Sequence, residues 1–161
     1  MFAEIKSKYD GVDICINNAG LAHPATLLEG ETQDWRHMIN INVIGPCVCA
    51  REAIKSMKER NVDDGHIINI CSLSGHRIQS GSSEIHMYAA TKHAVKAITE
   101  GLRQELRQMK SNIRVGQISP GDVKTEFVLN MYPDNPTFHE KFVRSGQCDQ
   151  SWTMFMDQVV K

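Results

Sequence analysis

The sequence predicts an α/β fold built on a parallel sheet. Three short apolar runs, residues 12–16, 66–70 and 113–118, have the length and the β-branched composition of buried strands. The longer segments between them repeat their apolar residues at helical spacing. Strands that alternate with helices are joined by crossovers, which place the strands side by side in one parallel sheet. We therefore expect three strands with helices mainly on one face.

The flanking segments indicate where the elements begin and end. Residues 1–9 have helical spacing and stop at the turn signal Asp10-Gly11. A helix is predicted over residues 32–60 with Thr32 as its cap, and another over residues 88–110. In the tail, apolar residues of the segment 149–161 have the spacing of a short amphipathic helix.

Composition excludes several classes of function. Eighteen Lys and Arg against 19 Asp and Glu leave a net charge of −1, so the chain has no overall attraction to nucleic acid or to an anionic membrane. Five cysteines without a C-x-x-C pair indicate a reducing compartment. The first residues have no signal-peptide pattern and no apolar run reaches transmembrane length, so we expect a cytoplasmic protein. No spacing of His, Cys and Asp suggests a metal site.

Polar and glycine-rich segments follow each predicted strand. Residues 17–20 follow the first strand, Ser72 follows the second, and Pro120 and Gly121 follow the third. In open parallel sheets, ligands bind outside the carboxyl ends of the strands. The chemistry of the chain is therefore expected at this edge.

Tyr88 and Lys92 lie four residues apart at the start of a predicted helix, and so share one face of it. A phenol normally ionises near pKa ~10, and a nearby ammonium lowers that value. Tyr88 is thus a candidate acid/base for a carbinol oxygen. The alternative is an ordinary surface pair, which this spacing produces by chance.

Ser72 and Asn42 strengthen the interpretation. The Ser72 hydroxyl can donate a hydrogen bond to a substrate carbonyl, although a serine there can also simply cap the strand end. Pro46 has no N–H for the Asn42 carbonyl, so the helix is expected to kink and leave that carbonyl free to hold a water. The alternative is that Gly45-Pro46 only bends the helix around the sheet.

The following motifs occur in this order along the chain: Asn17-Asn18-Ala19-Gly20, Asn42, Ser72, Tyr88-x-x-x-Lys92 and Pro120-Gly121. Together they resemble the motifs of the short-chain dehydrogenases/reductases. The resemblance runs from residue 1 to about 147, which it identifies as the catalytic portion of a doubly wound, Rossmann-type domain without its first three strands. Residues 148–161 form a divergent tail. The stretches 11–21, 56–75 and 99–105 look most similar to a branch of NADP-dependent reductases of keto-steroids and other carbonyls, with farnesol dehydrogenases among its insect relatives.

The resemblance implies roles for individual residues. Tyr88 would be the acid/base, Ser72 the carbonyl donor, Lys92 the activator of the tyrosine and a ribose contact, and Asn42 the holder of a water. Further cofactor contacts would come from Asn18, Ala19 and Gly20 on the adenosine side and from Pro120, Gly121, Val123 and Thr125 at the nicotinamide. The implied cofactor is NADP. NAD stays open, because the residues that select between the two are not in this sequence.

Two hypotheses follow. The first is an NADP-dependent oxidoreductase that interconverts a ketone or aldehyde and an alcohol on a hydrophobic substrate such as a steroid or an isoprenoid, acting as a homodimer or homotetramer through the helices 32–60 and 88–110. The second is a truncated isoform or incomplete gene model that at most pairs with a full-length subunit, because no glycine-rich G-x-G-x-x-G turn for a pyrophosphate occurs among the 11 glycines. With three strands only, one sheet face would be bare and both outer strands unpaired.

Overall fold

The computed structural model describes residues 1–123 and 125–133 and the backbone of residues 155–157. The helices of this part are α1 (Phe2–Tyr9), α2 (Thr32–Ile39), α3 (Gly45–Glu59), α4 (His86–Gln108) and α5 (Phe127–Met131). The strands are β1 (Ile14–Asn17), β2 (His66–Ile70), β3 (Arg114–Ser119) and β4 (Phe155–Asp157). Short 3₁₀ turns at Leu73–Gly75 and Ser83–Ile85 lie between β2 and α4. The predicted α/β fold is confirmed.

The sheet has the order β1-β2-β3-β4. β1 pairs with β2 in parallel, with Cys15 opposite Ile67, and β2 pairs with β3 in parallel, with Ile67 opposite Val115. Because these three strands run the same way, their carboxyl ends meet at one edge. The strands predicted from the apolar runs are thus present, each within two residues of its expected bounds.

One face of the sheet is covered by helices. Ile67 and Val115 on this face pack with Ala50, Met57 and Leu106 of α3 and α4, in a cluster of fully or nearly fully buried residues. The small Ala50 and Ala53 are completely buried, which lets α3 approach the sheet closely. This cluster fixes both long helices on the sheet and therefore helps to position the residues at the start of α4.

The opposite face is exposed at β1, which agrees in part with the predicted bare face. Ile14 and Ile16 are 61% and 59% exposed, although both belong to a strand. Their side chains point away from α3 because successive residues of a strand face opposite sides of the sheet.

The prediction that both outer strands are unpaired is wrong for β3, because β4 pairs with it in antiparallel register, with Phe155 opposite Ser119. The predicted helix in the tail is also wrong for Phe155–Asp157, because these residues form a strand. An edge strand offers unpaired N–H and C=O groups, and an added strand satisfies them whatever its own apolar spacing. The rest of the predicted 149–161 helix lies outside the described residues.

The predicted interruption near Pro46 takes the form of a π-helical segment. Residues Asn40–Ile44 form this segment between α2 and α3, and the Gly45 N–H donates to the Asn40 carbonyl five residues back. Pro46 has no N–H to continue α-helical bonding to Asn42, so the chain widens by one residue here. Thr32, by contrast, is not the cap of α2. Glu31 occupies the cap position, without a capping side-chain hydrogen bond.

Within the described ranges, no helix is long and apolar enough to cross a membrane.

Candidate active site

Backbone hydrogen bonds join the loops that follow β2 and β3. The Cys71 N–H donates to the Ile118 carbonyl at 2.8 Å, and the Leu73 N–H donates to the Pro120 carbonyl at 3.0 Å. These bonds bring the segment that carries Ser72 beside Pro120, which was predicted from the order of elements alone. The site therefore forms at the carboxyl edge of the parallel strands, where ligands of such sheets bind.

Tyr88, Lys92 and Ser72 come together at this edge. Both Tyr88 and Lys92 lie in the first two turns of α4, and the Lys92 Nζ is 5.7 Å from the centre of the Tyr88 ring. Lys92 is buried, with its Nζ donating to the Ile70 carbonyl at 2.9 Å. The Ser72 side chain makes a hydrogen bond with Tyr88 that lowers the pKa of the phenol. Tyr88 and Lys92 are thus not a chance surface pair.

The pKa of Tyr88 differs from the prediction in its direction. Burial is the largest influence, and it raises the pKa of the Tyr88 phenol to about 12, with smaller contributions from Cys71 and Asp122. The Ser72 hydrogen bond lowers the Tyr88 pKa and so opposes this rise. Lys92 is not among the groups that shift the Tyr88 pKa. The predicted net lowering of the Tyr88 pKa is therefore wrong for this structure, because burial of the phenol outweighs the hydrogen bond that lowers its pKa. At neutral pH Tyr88 is therefore a neutral phenol.

The Ser72 side chain makes two contacts. Its Oγ accepts a hydrogen bond from the Ser74 N–H at 3.1 Å, which caps the turn Leu73–Gly75. The same side chain makes the hydrogen bond with Tyr88. Capping thus holds the hydroxyl at a defined place next to the phenol.

Asn42 is held by its side chain as well as by its place in the π-helical segment. Its Oδ1 accepts from the Leu21 N–H at 2.9 Å, and its Nδ2 donates to the Leu21 carbonyl at 2.8 Å and to the Thr91 Oγ1 at 3.0 Å. Thr91 Oγ1 in turn donates to the Tyr88 carbonyl at 2.7 Å. Asn42 therefore connects the loop after β1 to the helix that carries Tyr88.

Gly20 leaves a narrow space between these groups. A Cβ added there would lie 3.5 Å from both the Asn42 Oδ1 and the Lys92 Nζ, so a side chain would occupy the space directly in front of the lysine. Gly20 therefore places no side chain between the loop after β1 and Lys92. This observation fits a ligand hydroxyl group that approaches Lys92 at the position of Gly20.

The other predicted cofactor contacts lie on two loops. Asn18 and Ala19 are exposed at the end of β1, and Val123 is 39% exposed in the loop after β3. The Thr125 Oγ1 accepts from the Phe127 N–H at 3.3 Å, next to the start of α5. All of these residues follow the carboxyl ends of the parallel strands. Among the predicted loop contacts that the structure describes, Gly20 is the one that lies next to Lys92.

Sequence reasoning missed three features of the site. The Phe127 ring packs on the Tyr88 ring with 5.7 Å between centres, Thr91 links Asn42 to α4, and Asn17 donates to Asn69 at 2.8 Å beneath the strand ends. Thr91 had a signal, since it lies between Tyr88 and Lys92 on the same helix. Phe127 had none, because its contact with Tyr88 depends on how the chain folds back after β3.

The model of the short chain dehydrogenase family matches residues 1–136. This chain belongs to the short-chain dehydrogenase family. Dehydrogenase/reductase SDR family member 11 of Homo sapiens is 58% identical over 136 residues, which cover 84% of this chain and 52% of that protein. Farnesol dehydrogenase of Aedes aegypti is 43% identical over 129 residues, which cover 80% of this chain and 52% of that protein.

Solved structures of the family have the same fold. The closed form of serine dehydrogenase complexed with NADP+ is 32% identical with a TM-score of 0.75, and the match covers 87% of this chain and 56% of that one. A gluconate 5-dehydrogenase from Burkholderia cenocepacia in complex with NADP and tartrate is 29% identical with a TM-score of 0.72, covering 89% and 53%. These structures confirm the Rossmann-type fold. The identity to the human and insect relatives confirms the resemblance to the reductase branch.

The chain spans about half the length of the curated relatives it matches. The part that matches the short-chain dehydrogenases includes Tyr88, Lys92, Ser72 and Asn42. Among the residues that the structure describes, no group of three or more His, Cys, Asp or Glu side chains is arranged to hold a metal ion.

Proposed function

We propose that this chain supplies the catalytic part of an NADP-dependent oxidoreductase that interconverts a hydrophobic ketone or aldehyde and its alcohol, with Tyr88 as the acid/base. One observation carries the proposal: Tyr88, in a hydrogen bond with Ser72 and with Lys92 Nζ 5.7 Å from its ring centre, lies at the carboxyl edge of a parallel sheet. A proton donor, a second hydroxyl and a buried cation at one place are what carbonyl reduction requires.

The chain's own residues handle the proton. Since burial raises the pKa of Tyr88 to about 12, the phenol is neutral at ordinary pH and can donate to a carbonyl oxygen as negative charge develops there. Ser72 would donate a second hydrogen bond to the same oxygen. The neutral phenol is the form that donates a proton in carbonyl reduction, whereas oxidation of an alcohol requires the phenolate.

The cofactor supplies or accepts the hydride when it is bound. Lys92 has three N–H donors and gives one to the Ile70 carbonyl, so it can also donate to ribose hydroxyls through the space at Gly20. Asn18, Ala19 and Gly20 would line the adenosine side, and Pro120, Gly121, Val123 and Thr125 the nicotinamide side. NADP is the cofactor we propose, since it is bound in the related serine and gluconate dehydrogenase structures.

The hydrophobic nature of the substrate is supported by Phe127. Its ring lies against Tyr88 at a centre distance of 5.7 Å, so an apolar surface borders the reacting group. A substrate with an apolar body would bury area against such a ring at roughly 25 cal/mol per Å². Steroid and isoprenoid carbonyls both satisfy this requirement.

We also propose that the active form is a homodimer or homotetramer. A groove of about 690 Å³ runs between α3 and α4, with apolar residues such as Ile54, Ile98 and Leu102 in its lining. Met109, which also lines the groove, is 56% exposed. The two helices thus present an apolar surface that a second copy would cover.

The test is NADPH binding followed by carbonyl reduction. The purified chain is titrated with NADPH under cofactor fluorescence, alone and together with the part of the human relative that the match leaves uncovered. We expect NADPH binding, turnover of a hydrophobic ketone, and a loss of kcat by a factor of about 10²–10⁴ in Tyr88→Phe with binding retained.

Tyr9→Phe is the matched control, because Tyr9 is 75% exposed on α1. Turnover of Tyr88→Phe at the rate of the unchanged chain would disprove the proposed role of the phenol. If NADPH binds neither to the chain alone nor to the chain together with that part of the human relative, the proposed cofactor is disproved.

A further inference from the structure

Glu84 connects three segments of the chain: the loop after β1, the turn before α4 and the residue after α5. It lies in the 3₁₀ turn Ser83–Ile85, directly before α4. Its backbone carbonyl accepts from the Ala25 N–H at 3.0 Å, in the loop after β1. Its side-chain Oε1 accepts from the Tyr132 hydroxyl at 3.3 Å, just after α5. One residue therefore joins the loops that follow β1 and β3 to the start of the catalytic helix.

The contact with Tyr132 is partly buried, which gives it more influence than a surface contact. Burial raises the pKa of the Tyr132 phenol, and the Glu84 carboxylate raises it further by its charge and by accepting the hydrogen bond. A hydrogen bond to a charged acceptor in such surroundings is stronger than one between neutral groups. Tyr132 is thus held as a neutral donor to Glu84.

The position of this contact matters because of what lies between its ends. α5 begins at Phe127, whose ring packs on Tyr88, and ends at Met131, directly before Tyr132. The helix is one and a half turns long, too short to be stable without contacts at its ends. The Tyr88 ring contacts its first residue, and Glu84 contacts the residue after its last.

We propose that Glu84 and Tyr132 form a latch that holds α5 against the catalytic helix and thereby shapes the wall of the carbonyl site next to Tyr88. Glu84 is a positioning residue in this scheme, because it acts on the substrate through α5 and Phe127. The proposal rests on the proposed reductase function for its effect on substrate, but the latch itself is testable without turnover.

The first experiment measures the latch directly. Tyrosine ionisation is followed by ultraviolet absorption against pH in the unchanged chain, in Glu84→Gln and in Tyr132→Phe. The signal that is lost in Tyr132→Phe is assigned to Tyr132. Glu84→Gln keeps an acceptor oxygen but removes the charge, so the Tyr132 pKa should fall. Hydrogen exchange of residues 125–133 should become about 2- to 12-fold faster in Tyr132→Phe, the range expected for loss of one hydrogen bond. Tyr9→Phe removes one exposed tyrosine from the absorbance, but it should leave the Tyr132 pKa and the exchange of residues 125–133 unchanged.

The second experiment measures the effect on substrate. With turnover established, Tyr132→Phe and Glu84→Ala should each raise KM for a hydrophobic ketone, and the double variant should raise it little further, because both changes open one contact. The KM for NADPH should stay constant in all three variants.

The outcomes separate the two proposals. If Tyr88→Phe shows that the chain is not a reductase, the titration and exchange results still decide whether the latch exists. An unshifted Tyr132 pKa in Glu84→Gln, or unchanged exchange of residues 125–133 in Tyr132→Phe, would overturn the latch. So would fully additive effects of the two substitutions on KM.

Discussion

The two faces of the sheet differ in burial although both carry isoleucine. On the covered face, Ile67 and Val115 are buried under α3 and α4. On the open face, Ile14 and Ile16 are 61% and 59% exposed. The difference arises because both long helices lie on one side of the three parallel strands. Apolar character in a strand therefore indicates what the strand can bury, and not what it does bury.

The comparison also explains where the site is built. Asn42, Thr91 and Lys92 are buried polar residues in the helical layer of the covered face, and each has a hydrogen-bond partner there. Burial in that layer keeps water out and so strengthens each of these hydrogen bonds. Tyr88 takes its raised pKa from the same burial. The chemistry and the stability of the covered side thus have a common origin.

The largest expected effect comes from exchanging one isoleucine on each face for alanine. Ile67→Ala removes a fully buried side chain and should lower the free energy of unfolding by about 2–5 kcal/mol. Ile16→Ala, the matched control on the open face, should change it by less than about 1 kcal/mol. Urea denaturation followed by circular dichroism measures both. Equal losses would show that the open face is buried in solution.

A second effect concerns the burial of Tyr88 and appears only at high pH. The folded pKa of about 12 lies above the unfolded value of about 10, so the stabilisation is complete below pH 10 and is lost as the pH rises toward 12. Two pKa units correspond to about 2–3 kcal/mol. The unfolding free energy of the unchanged chain should therefore fall between pH 10 and 12 by this amount relative to Tyr88→Phe.

The same comparison with Tyr9→Phe controls for the other groups that titrate in this range, since Tyr9 is exposed. Parallel curves for the unchanged chain and Tyr88→Phe would contradict the raised pKa.

The smallest effect tests the polar part of the covered layer. Asn42→Ala leaves the N–H and C=O of Leu21 without their partner and should lower the unfolding free energy by about 1–3 kcal/mol. Asn40→Ala is the matched control, because Asn40 lies in the same π-helical segment with an exposed side chain. Thermal unfolding of the two variants compares them. A loss as large for Asn40→Ala would mean that the segment itself, and not the Leu21 contact, carries the effect.

Much of the covered side could be predicted from the sequence, because its signals are local. Strand runs, helical spacing, the four-residue spacing of Tyr88 and Lys92, and the missing N–H of Pro46 each depend on neighbours along the chain. The pairing of β4 with β3 could not be predicted, because a strand is completed by a partner that lies far away in sequence. The direction of the Tyr88 pKa was wrong for a similar reason, since burial is set by the packing of several segments around the phenol.

The sequence by itself determined the α/β class, the order of the elements, the edge at which the site forms, and the family. These follow from periodicity and from short motifs whose members are close in the chain. Only the tertiary structure decided that the Asn42 side chain holds Leu21, that Phe127 packs on Tyr88, and that Tyr132 reaches Glu84. Each of these contacts joins segments separated by 21 to 48 residues, and it exists only because the packing of the helices on one sheet face brings those segments together.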